Sequence, residues 1–406
     1  MKHLPLWIFG IAYLLIFSLY LDKIPMIAMD EGWNAFYALD QFGDNPHALS
    51  TSIQYKLFFL YYLLLAGWMK IWGISLVTVR AFAVFSGLFG LIGLYQLLCH
   101  ITSNKKLISA GLFAFLMCNI TVVTFRWGRP EGLILVLLIW ALFFLVKAIQ
   151  ENRPKLLNIV GLLMGLMILT HPYSVLVVLA TLCVLSTLPF KPIVSYRYFI
   201  SGGLIIGSIL IIKALFWDFE YLQTQFIPHI TERLSFMDTS QSLLDKWVYF
   251  WHSYTLGIKR LYILLFEIGI LIYGTLAFRK DPLISNISRI GLFSFIFGML
   301  ILSPFRRRYM GIVMICSLIT SIVMLCRNKT HSKKIITLCL LVYITNNMLG
   351  NLYYIYKHRN NTPYSTISKQ LHAEIPPEAK VIAPIQLWLA LHPIYTVTNI
   401  HNESKS

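Results

Sequence analysis

Residues 4–21 read Leu4-Pro-Leu-Trp-Ile-Phe-Gly-Ile-Ala-Tyr-Leu-Leu-Ile-Phe-Ser-Leu-Tyr-Leu21, an apolar run long enough to cross a lipid bilayer. The chain continues with Ile27-Ala-Met-Asp-Glu-Gly-Trp-Asn-Ala-Phe-Tyr37, so two adjacent carboxylates, Asp30 and Glu31, follow the end of that run. An ionisable pair at a membrane surface must be solvated, bound to a metal or used in chemistry. The pair is therefore the first candidate for a functional site.

The rest of the chain repeats the apolar character of its first segment. Of 406 residues, 57% are hydrophobic and 13% are charged, and the mean hydropathy is +0.69. Repeated apolar runs of about 17–25 residues indicate membrane-spanning α-helices. The alternating segments of about ten residues that build an outer-membrane β-barrel are absent from the sequence. The composition therefore predicts an all-α polytopic membrane protein.

The positive charge of the chain has a membrane explanation. The formal net charge is +17, but the Lys and Arg residues are scattered over short loops rather than gathered on one basic face. Nucleic acid is therefore not expected as a partner. All six cysteines lie within or at the edges of apolar segments, which argues against a disulfide framework. Lys2 precedes the first apolar run without a small-residue cleavage site, which favours an uncleaved signal anchor.

The spacing of apolar and basic segments predicts the membrane topology. Apolar segments occupy residues 4–21, 56–73, 78–99, 107–125, 131–149, 156–170, 172–188, 199–217, 261–278, 287–303, 309–326 and 333–350. Basic connectors lie at residues 104–106, 147–155, 191–197, 279–280 and 327–334. All of these connectors fall on the cytoplasmic side only if residues 56–73 form an in-plane amphipathic helix on the outer face. We therefore expect about eleven spans, a cytoplasmic N-terminus and an outward-facing C-terminus, in an inner or plasma membrane.

The loops divide the chain into a membrane domain and a short tail. Residues 1–350 are expected to form a transmembrane catalytic domain with a first outer loop at residues 22–77, and residues 351–406 an extracytoplasmic C-terminal segment. Within that segment, residues 375–383 read as a short strand and residues 386–391 as a helix. We therefore expect only the start of an α/β unit there, without enough chain to complete one.

The Asp30-Glu31 pair has two interpretations. An acidic group at the water–lipid boundary can act as a general base on an acceptor hydroxyl within hydrogen-bond reach. Carboxylates are also favoured at helix N-termini, where the macrodipole is positive, and Asp30 would serve as an N-cap for a helix over residues 33–42. From the residues alone, both interpretations stay open.

A second cluster lies between two later apolar segments, in Phe125-Arg-Trp-Gly-Arg-Pro-Glu-Gly132. Pro130 suits the first turn of the following helix, and Glu131 is favoured near that N-terminus. Arg126 and Arg129 are candidates for binding a phosphate, and Glu131 for orienting a sugar or a water. A capped turn with a local ion pair explains the same residues without a function.

Two single polar residues stand at the ends of apolar segments. Arg80 follows Trp72-Gly-Ile-Ser75 near a membrane interface, where a long basic side chain often only snorkels towards water. His171, in Leu169-Thr-His-Pro-Tyr173, stands where Pro172 interrupts an apolar run. Either a structural or a ligand-binding role fits this histidine.

Three consecutive arginines, Arg306, Arg307 and Arg308, precede Tyr309 at a predicted outer end of a span. Their position opposes the positive-inside tendency, so we expect a negative group to offset them. Guanidinium groups match the oxygens of phosphate, and an anionic lipid phosphate would supply that group. Generic contact with lipid headgroups is the alternative.

Taken in order, these motifs resemble those of the polyprenyl-phosphate-dependent membrane glycosyltransferases of the GT-C superfamily. The closest resemblance is to the branch containing protein O-mannosyltransferases, the aminoarabinose transferase of lipid A and lipopolysaccharide sugar transferases. The resemblance covers residues 1–190 well and the rest loosely, and it rests on the order and placement of the motifs. They are Asp30-Glu31, Trp72-Gly-Ile-Ser75 with Arg80, Arg129-Pro-Glu131, Leu169-Thr-His-Pro-Tyr173 and Arg308-Tyr309.

The resemblance implies an inverting transfer of a sugar from a lipid phosphate to an acceptor hydroxyl on the outer face. Asp30 would be the catalytic base, Glu31 its close partner, and Glu131 the match to a second acidic position in an outer loop. The donor phosphate would be bound by Arg306, Arg307, Arg308 and Arg129. Further candidates for the site are Arg80, Arg126, His171, Tyr173 and Tyr309.

The resemblance also implies the partners, which are membrane lipids, a lipid-phosphate-linked sugar donor and a glycan, lipid or protein acceptor. No cofactor is expected, although the oxygen-rich Asp30-Glu31 pair would suit Mg²⁺ or Mn²⁺. The chain departs from the family pattern at Gly32-Trp-Asn34, where a basic residue is common, and at Ser52-Ile-Gln-Tyr55, where a Pro-containing motif is common. It also has Glu131 where many members have Asp.

Two other functions compete with sugar transfer. A polysaccharide ligase or polymerase would use an arginine and histidine site in a large outer loop, and residues 218–260 contain His229, Arg233 and His252. A lipid or sugar transporter would place polar or broken helices at the bilayer midplane, often within an internal repeat. The charges lie instead at the outer ends of the spans and no repeat is evident, which argues against a transporter.

Overall fold

The computed structural model of the protein describes residues 3–24, 29–42, 57–216, 258–301, 307–327, 330–376, 379–392 and 396–399, with isolated positions between 217 and 257. The first half of the described chain folds into α1 (Leu4–Ser18), α2 (Met29–Phe42), α3 (Leu60–Trp72), α4 (Leu76–Ile101), α5 (Lys105–Met117), α6 (Asn119–Thr124), α7 (Pro130–Gln150), α8 (Leu157–Thr170), α9 (Val175–Leu185) and α10 (Pro192–Phe216).

The second half continues with α11 (Ile258–Ala277), α12 (Pro282–Ile301), α13 (Gly311–Arg327), α14 (Thr330–His358), α15 (Tyr364–Glu374), β1 (Lys380–Ala383), α16 (Trp388–Leu391) and β2 (Thr396–Asn399). Short 3-10 turns cover Pro154–Leu156, Pro172–Ser174, Arg307–Met310 and Ile385–Leu387. The described chain is thus a helical bundle followed by a small mixed segment, and the predicted helical membrane-protein fold is confirmed.

The predicted apolar segments coincide with helices of this bundle. Among the described residues, five helices are long and apolar enough to cross a membrane by length and composition: α4, α7, α10, α12 and α14. Shorter apolar helices cover Leu4–Ser18, Pro154–Thr170, Pro172–Leu185, Leu261–Ala277 and Gly311–Arg327. The remaining predicted span, residues 107–125, falls on α5 and α6, which meet at Cys118. A protein core of buried Leu, Ile, Val and Phe side chains joins these helices.

The predicted outer loops meet at one end of the bundle. The carbonyl of Leu21, after α1, accepts a hydrogen bond from Arg80 at the start of α4. Tyr173, before α9, packs its ring on that of Tyr309, before α13, with a centroid distance of 4.4 Å. The backbone N–H of Tyr364, after α14, donates to the carbonyl of Asp22 at 3.1 Å. This end of the bundle carries the candidate site.

The basic connectors meet at the opposite end. His100, in the last turn of α4, lies 4.0 Å from Glu151, directly after α7. Arg327, in the last turn of α13, forms an ion pair with Asp281, directly before α12. Acidic side chains thus offset part of the basic charge there. The two sets of loops that the charge pattern separates are also separated in space.

The first predicted outer loop contains α2 and α3. Helix α3 covers most of the apolar segment 56–73 and packs one face on α2 and α4, through Tyr61, Tyr62, Leu65, Ala66 and Met69. Its other face exposes Leu63, Leu64, Ile71 and Trp72. An apolar outer face with terminal Trp side chains suits the membrane headgroup region. The in-plane orientation of α3 stays a prediction.

The C-terminal segment differs in two respects from the expectation. Strand β1 pairs with β2 in parallel, with Lys380 opposite Thr396 and Ala383 opposite Asn399. A strand–helix–strand unit is therefore completed, because the connection between the strands supplies about the dozen residues that a parallel crossover needs. Helix α14 also continues to His358, past residue 350, where the sequence divides membrane domain from tail.

Candidate active site

Glu31 is the centre of a buried polar cluster in the first turn of α2. Both its oxygens accept hydrogen bonds from Arg80, with Nε–Oε1 and Nη2–Oε2 distances of 2.8 Å, and neither side chain is exposed. Oε1 also accepts the backbone N–H of Gly128 at 3.1 Å. The third guanidinium nitrogen of Arg80 donates to the carbonyl of Leu21 at 2.8 Å. Glu31 therefore ties α2 to α4 and to the loop before α7.

Arg80 faces this cluster because of where α4 begins. Ser75 caps the helix, its hydroxyl accepting the N–H of Thr78 at 3.0 Å, so Arg80 stands in the first turns near the site end. The interpretation of Arg80 as a snorkelling side chain is wrong, since it is fully buried and paired. A buried charge that keeps both a counter-ion and hydrogen bonds is tolerated, whereas an unpaired one is not.

Asp30 and Glu131 share a second arginine. Arg129 places Nη1 2.8 Å from Oδ2 of Asp30 and Nη2 3.0 Å from Oε1 of Glu131. Its Nε also donates to Oε2 of Glu131 at 3.3 Å. Arg129 therefore joins the first turn of α2 to the first turn of α7. In this geometry the guanidinium group neutralises part of the charge of both carboxylates.

The three carboxylates differ in their access to solvent. The side chain of Asp30 is 46% exposed, that of Glu131 is 5% exposed and that of Glu31 is fully buried. A general base must come within hydrogen-bond distance of the proton that it removes. Asp30 is the carboxylate of this cluster that an incoming hydroxyl group can reach. Glu31 and Glu131 are placed to hold arginines.

The loop before α7 brings the two halves of the cluster together. Gly128 packs so closely on α4 that a Cβ atom there would lie 2.1 Å from Cγ1 of Val79. This approach allows the Gly128 N–H to reach Glu31 and its carbonyl to accept Nδ2 of Asn34 at 2.9 Å. Pro130 begins α7, as the sequence predicts, and Glu131 lies in its first turn.

Arg126 points away from the carboxylates, towards the end of α1. Its guanidinium group donates to the carbonyls of Ile16, Leu19 and Ile24, with distances of 3.0 Å to Ile16 and 2.7 Å to Ile24. Ile16 lies in the last turn of α1, and Leu19 and Ile24 follow it, at a helix end where backbone acceptors lack partners within the helix. Arg126 is therefore a cap for α1, and no phosphate contact is needed to explain its position.

The two arginines of this loop differ in their pKa values. Burial, with help from the nearby charge of Arg80, lowers the pKa of Arg126 to about 10. Burial also acts to lower the pKa of Arg129, but the carboxylates of Glu131 and Asp30 outweigh it and raise that pKa. Arg129 is therefore a fixed positive charge next to the exposed carboxylate.

The motif around Pro172 lies beside Arg129. Tyr173 and Tyr309 are in electrostatic contact with Arg129, and Tyr173 also with Glu131. His171 follows the last residue of α8, and its Nδ1 accepts the N–H of Tyr173 at 3.3 Å, so it caps the short turn after the break. The predicted interruption at Pro172 is present, and this contact gives His171 a structural role.

The arginine triplet falls partly outside the described residues. Arg306 lies outside them, and so do the side chains of Arg307 and Arg308, although these two residues begin a 3-10 turn. The ring contact between Tyr309 and Tyr173 brings that turn beside the carboxylate cluster. The candidates of the competing ligase function, His229, Arg233 and His252, also lie outside the described residues.

Three residues of this region are missing from the sequence-based candidates. Asn34 bridges Gly128 and the hydroxyl of Tyr62, which donates to Oδ1 at 3.3 Å. Tyr61 is buried beside the acidic cluster, and its hydroxyl has no hydrogen-bond partner among the described residues. Asn34 and the two tyrosines occupy buried positions of short helices, and a helical pattern alone identifies them only as core residues.

Within the described ranges, no group of three or more His, Cys, Asp or Glu side chains could hold a metal ion. Asp30 and Glu31, the pair that would suit Mg²⁺ or Mn²⁺, are each paired with an arginine. The described site contains the exposed carboxylate of Asp30, the carboxylates of Glu31 and Glu131, and the guanidinium groups of Arg80 and Arg129.

The sequence of residues 58–217 matches a family model described as dolichyl-phosphate-mannose-protein mannosyltransferase. No curated protein sequence matches the chain. Among solved structures, apo ArnT from Cupriavidus metallidurans is similar, with 13% identity, coverage of 96% of this chain and 85% of that one, and a TM-score of 0.63. The same protein bound to undecaprenyl phosphate has 13% identity, coverage of 98% and 86%, and a TM-score of 0.61.

The apo oligosaccharyltransferase from Archaeoglobus fulgidus is also similar, with 10% identity and a TM-score of 0.55. That match covers 98% of this chain, which spans 65% of the archaeal protein. At such identities the structures establish a common fold. The matched family model covers residues 58–217, and the chain as a whole shares the fold of ArnT and of the archaeal oligosaccharyltransferase.

Proposed function

We propose that the protein is an inverting glycosyltransferase that moves a sugar from a polyprenyl-phosphate, or a related lipid-linked donor, to an acceptor hydroxyl. The reaction takes place at the extracytoplasmic end of the bundle, where α2, α4 and α7 begin. The protein is an integral component of an inner or plasma membrane, with its N-terminus in the cytoplasm. The acceptor is a glycan, a lipid or a protein.

The exposure of Asp30 beside Arg129 carries this proposal. Its side chain is 46% exposed and is held by an ion pair of 2.8 Å, so it is both accessible and oriented. In the proposed step, Asp30 removes the proton of the acceptor hydroxyl while the acceptor oxygen bonds to the anomeric carbon of the sugar. The bond from that carbon to the phosphate oxygen breaks, and its electron pair leaves with the lipid phosphate. Attack opposite the leaving group inverts the anomeric carbon.

Positive groups near Asp30 favour the departure of a phosphate. A leaving phosphate gains stability when cationic groups stand where its charge develops. Arg129 keeps its charge beside the carboxylates, and the turn that begins with Arg307 and Arg308 lies next to it through the Tyr309–Tyr173 contact. We assign donor phosphate binding to this group of arginines. The complex of the ArnT relative with undecaprenyl phosphate supports a lipid phosphate as the ligand.

The remaining charged residues support the base. Glu31 and Arg80 fix the first turn of α2, and Glu131 fixes Arg129. A base held in place by a rigid surrounding avoids the cost of reorganisation during the reaction. We therefore assign Glu31, Glu131 and Arg80 to positioning rather than to proton transfer.

The experiment compares cells that produce the wild-type protein, Asp30→Asn or Asp40→Asn, by mass spectrometry of their lipids, glycans and lipopolysaccharide. Asp40 lies near the other end of the same helix, ten residues or about 15 Å from Asp30, so Asp40→Asn is the matched control. A general base contributes about 10²–10⁴-fold to a rate, and Asp30→Asn should lower transfer to that degree.

A sugar modification that is present with the wild-type protein and with Asp40→Asn, and lost with Asp30→Asn at equal protein levels, supports the assignment. Full transfer by Asp30→Asn contradicts Asp30 as the base. Loss of transfer on changing His229 and His252, with Asp30→Asn active, would favour the ligase function instead.

A further inference from the structure

The C-terminal segment packs directly on the helix that carries Asp30. Trp388, in α16, is buried and meets the ring of Phe36 in α2 edge to face, at a centroid distance of 5.5 Å. Ile385 and Leu389 are buried in the same cluster as Ala35 and other residues of α2 and α3. The segment therefore shares a hydrophobic core with α2 and α3 of the first outer loop.

The closest approach is at Gly32, the residue after the Asp30-Glu31 pair. A Cβ atom at position 32 would lie 2.2 Å from the carbonyl oxygen of Ile385 and 3.0 Å from its carbonyl carbon. Both atoms belong to the backbone, which cannot adopt another rotamer to avoid the clash as a flexible side chain can. Glycine at this position lets the turn at Ile385–Leu387 touch the α2 backbone.

A second contact holds the segment near the start of α2. Asp22, after α1, accepts the N–H of Tyr364 on its carbonyl at 3.1 Å and the N–H of Ser365 on its carboxylate at 3.2 Å. The hydroxyl of Ser365 donates to the same carboxylate oxygen. Tyr364 links this contact to the first one, because its hydroxyl donates to the carbonyl of Gln386 at 2.7 Å.

Helix α2 is thus held from two directions. Glu31 binds α4 and the Gly128 loop, whereas Gly32, about 100° further around the helix, binds the C-terminal turn. Asp30 lies in the same first turn of α2 as Glu31 and Gly32. The position of this turn therefore determines whether Asp30 reaches Arg129. A change that moves this turn also moves the exposed carboxylate.

We infer that the C-terminal segment from Tyr364 to Leu391 is a positioning element of the active site, and that Gly32 is the residue through which it acts. The inference rests on the proposed function for Asp30. An alanine at position 32 must displace either the Ile385 carbonyl or the first turn of α2 by about 1 Å, and a misplacement of this size can lower a rate by about 10²-fold.

The first test compares Gly32→Ala with Gly67→Ala, a matched control in α3 where an added Cβ meets no atom within 4 Å. Each purified variant is assayed for sugar transfer from a membrane-lipid extract. The rate is divided by the number of sites that bind undecaprenyl phosphate, so a loss of folded protein does not imitate a loss of turnover. Gly32→Ala should lose about ten- to a hundredfold in turnover per site, and Gly67→Ala should keep the wild-type value.

A second pair of variants covers the case in which Gly32→Ala does not fold. Trp388→Ala removes the contact with Phe36, and Trp388→Phe keeps an aromatic ring there. Trp7→Ala is the control, because Trp7 is 69% exposed on α1. Turnover per site should fall with Trp388→Ala and should be rescued, at least in part, by Trp388→Phe.

Hydrogen exchange separates this inference from the proposed function. Trp388→Ala and Gly32→Ala should raise exchange in α2 and leave α7 unchanged. If the wild-type protein transfers no sugar, the proposed function fails, and unchanged exchange in α2 would still overturn the positioning role. Wild-type turnover per site in both Gly32→Ala and Trp388→Ala would overturn it as well.

Discussion

Glu31 and Arg80 are joined by two hydrogen bonds of 2.8 Å, and neither side chain has contact with solvent. The adjacent residue, Asp30, is the exposed member of the acidic pair. Two neighbouring carboxylates of one helical turn therefore have different environments and, in our proposal, different functions. The buried one holds the first turn of α2 to α4, and the exposed one faces the substrate.

This ion pair predicts the effect of removing either partner. Glu31→Ala or Arg80→Ala should destabilise the protein by about 3–5 kcal/mol, because each leaves a buried charge without its counter-ion. The double variant Glu31→Met/Arg80→Met should be more stable than either single variant. Thermal unfolding in detergent measures all of them. A Glu31→Ala protein that unfolds like wild type but transfers no sugar would instead make Glu31 a direct participant in the chemistry.

Loss of the hydroxyl group from Tyr61 and from Tyr62 should have different effects on the stability of the protein. The Tyr61 hydroxyl is buried without a partner among the described residues, so Tyr61→Phe should leave stability unchanged or raise it by about 1–3 kcal/mol. The Tyr62 hydroxyl donates to Asn34, so Tyr62→Phe should cost about 0.5–1.5 kcal/mol.

Unfolding of both variants under the same conditions shows whether each substitution raises or lowers the stability of the protein. A marked loss of stability in Tyr61→Phe would show that its hydroxyl is satisfied in the folded protein. Stable Tyr61→Phe protein with reduced transfer would indicate that the hydroxyl binds substrate.

Gly128→Ala should disturb the site through packing alone. The added Cβ would overlap Cγ1 of Val79 and push the loop away from Glu31, at a cost of about 1–3 kcal/mol. Val79→Ala in the same chain removes the overlapping atom and should restore most of the loss. Gly10→Ala, where nothing lies within 4 Å of the added atom, is the control. Measurements of unfolding and of sugar transfer check the effects on stability and on the site. If Val79→Ala does not restore the Gly128→Ala protein, backbone strain would be the cause instead.

The proposed topology predicts which loops are reached by reagents from outside the cell. In a background without Cys99 and Cys183, which are exposed, a cysteine replacing Asn360 should react with a membrane-impermeant maleimide in intact cells. A cysteine replacing Lys155 should react only after the membrane is opened, because its loop lies at the end with the basic connectors. Labelling of both positions in intact cells would contradict the topology.

The sequence was sufficient for the helices and for the grouping of loops, because membrane-length apolar runs and basic connectors are local signals. It was not sufficient for the pairing within the site. Arg80 and Glu31 are separated by 49 residues, and nothing local distinguishes a snorkelling arginine from one that meets a buried carboxylate. Asp22 and Ser365 are separated by 343 residues, so their contact depends on the whole bundle. The different roles of Asp30 and Glu31 follow from their different burial. The sequence alone does not show which of two adjacent carboxylates is buried.

The contact between Asp22 and Ser365 also bears on how the protein is made. Asp22 leaves the ribosome with the first apolar segment, whereas Ser365 is synthesised only after α14. During synthesis, Asp22 and the nearby helix α2 are therefore complete long before the C-terminal segment that packs on them. A nascent chain holds every carboxylate and arginine of the described cluster long before it can hold them in place. Sugar transfer should begin only when insertion of the last long helix has delivered the segment after it.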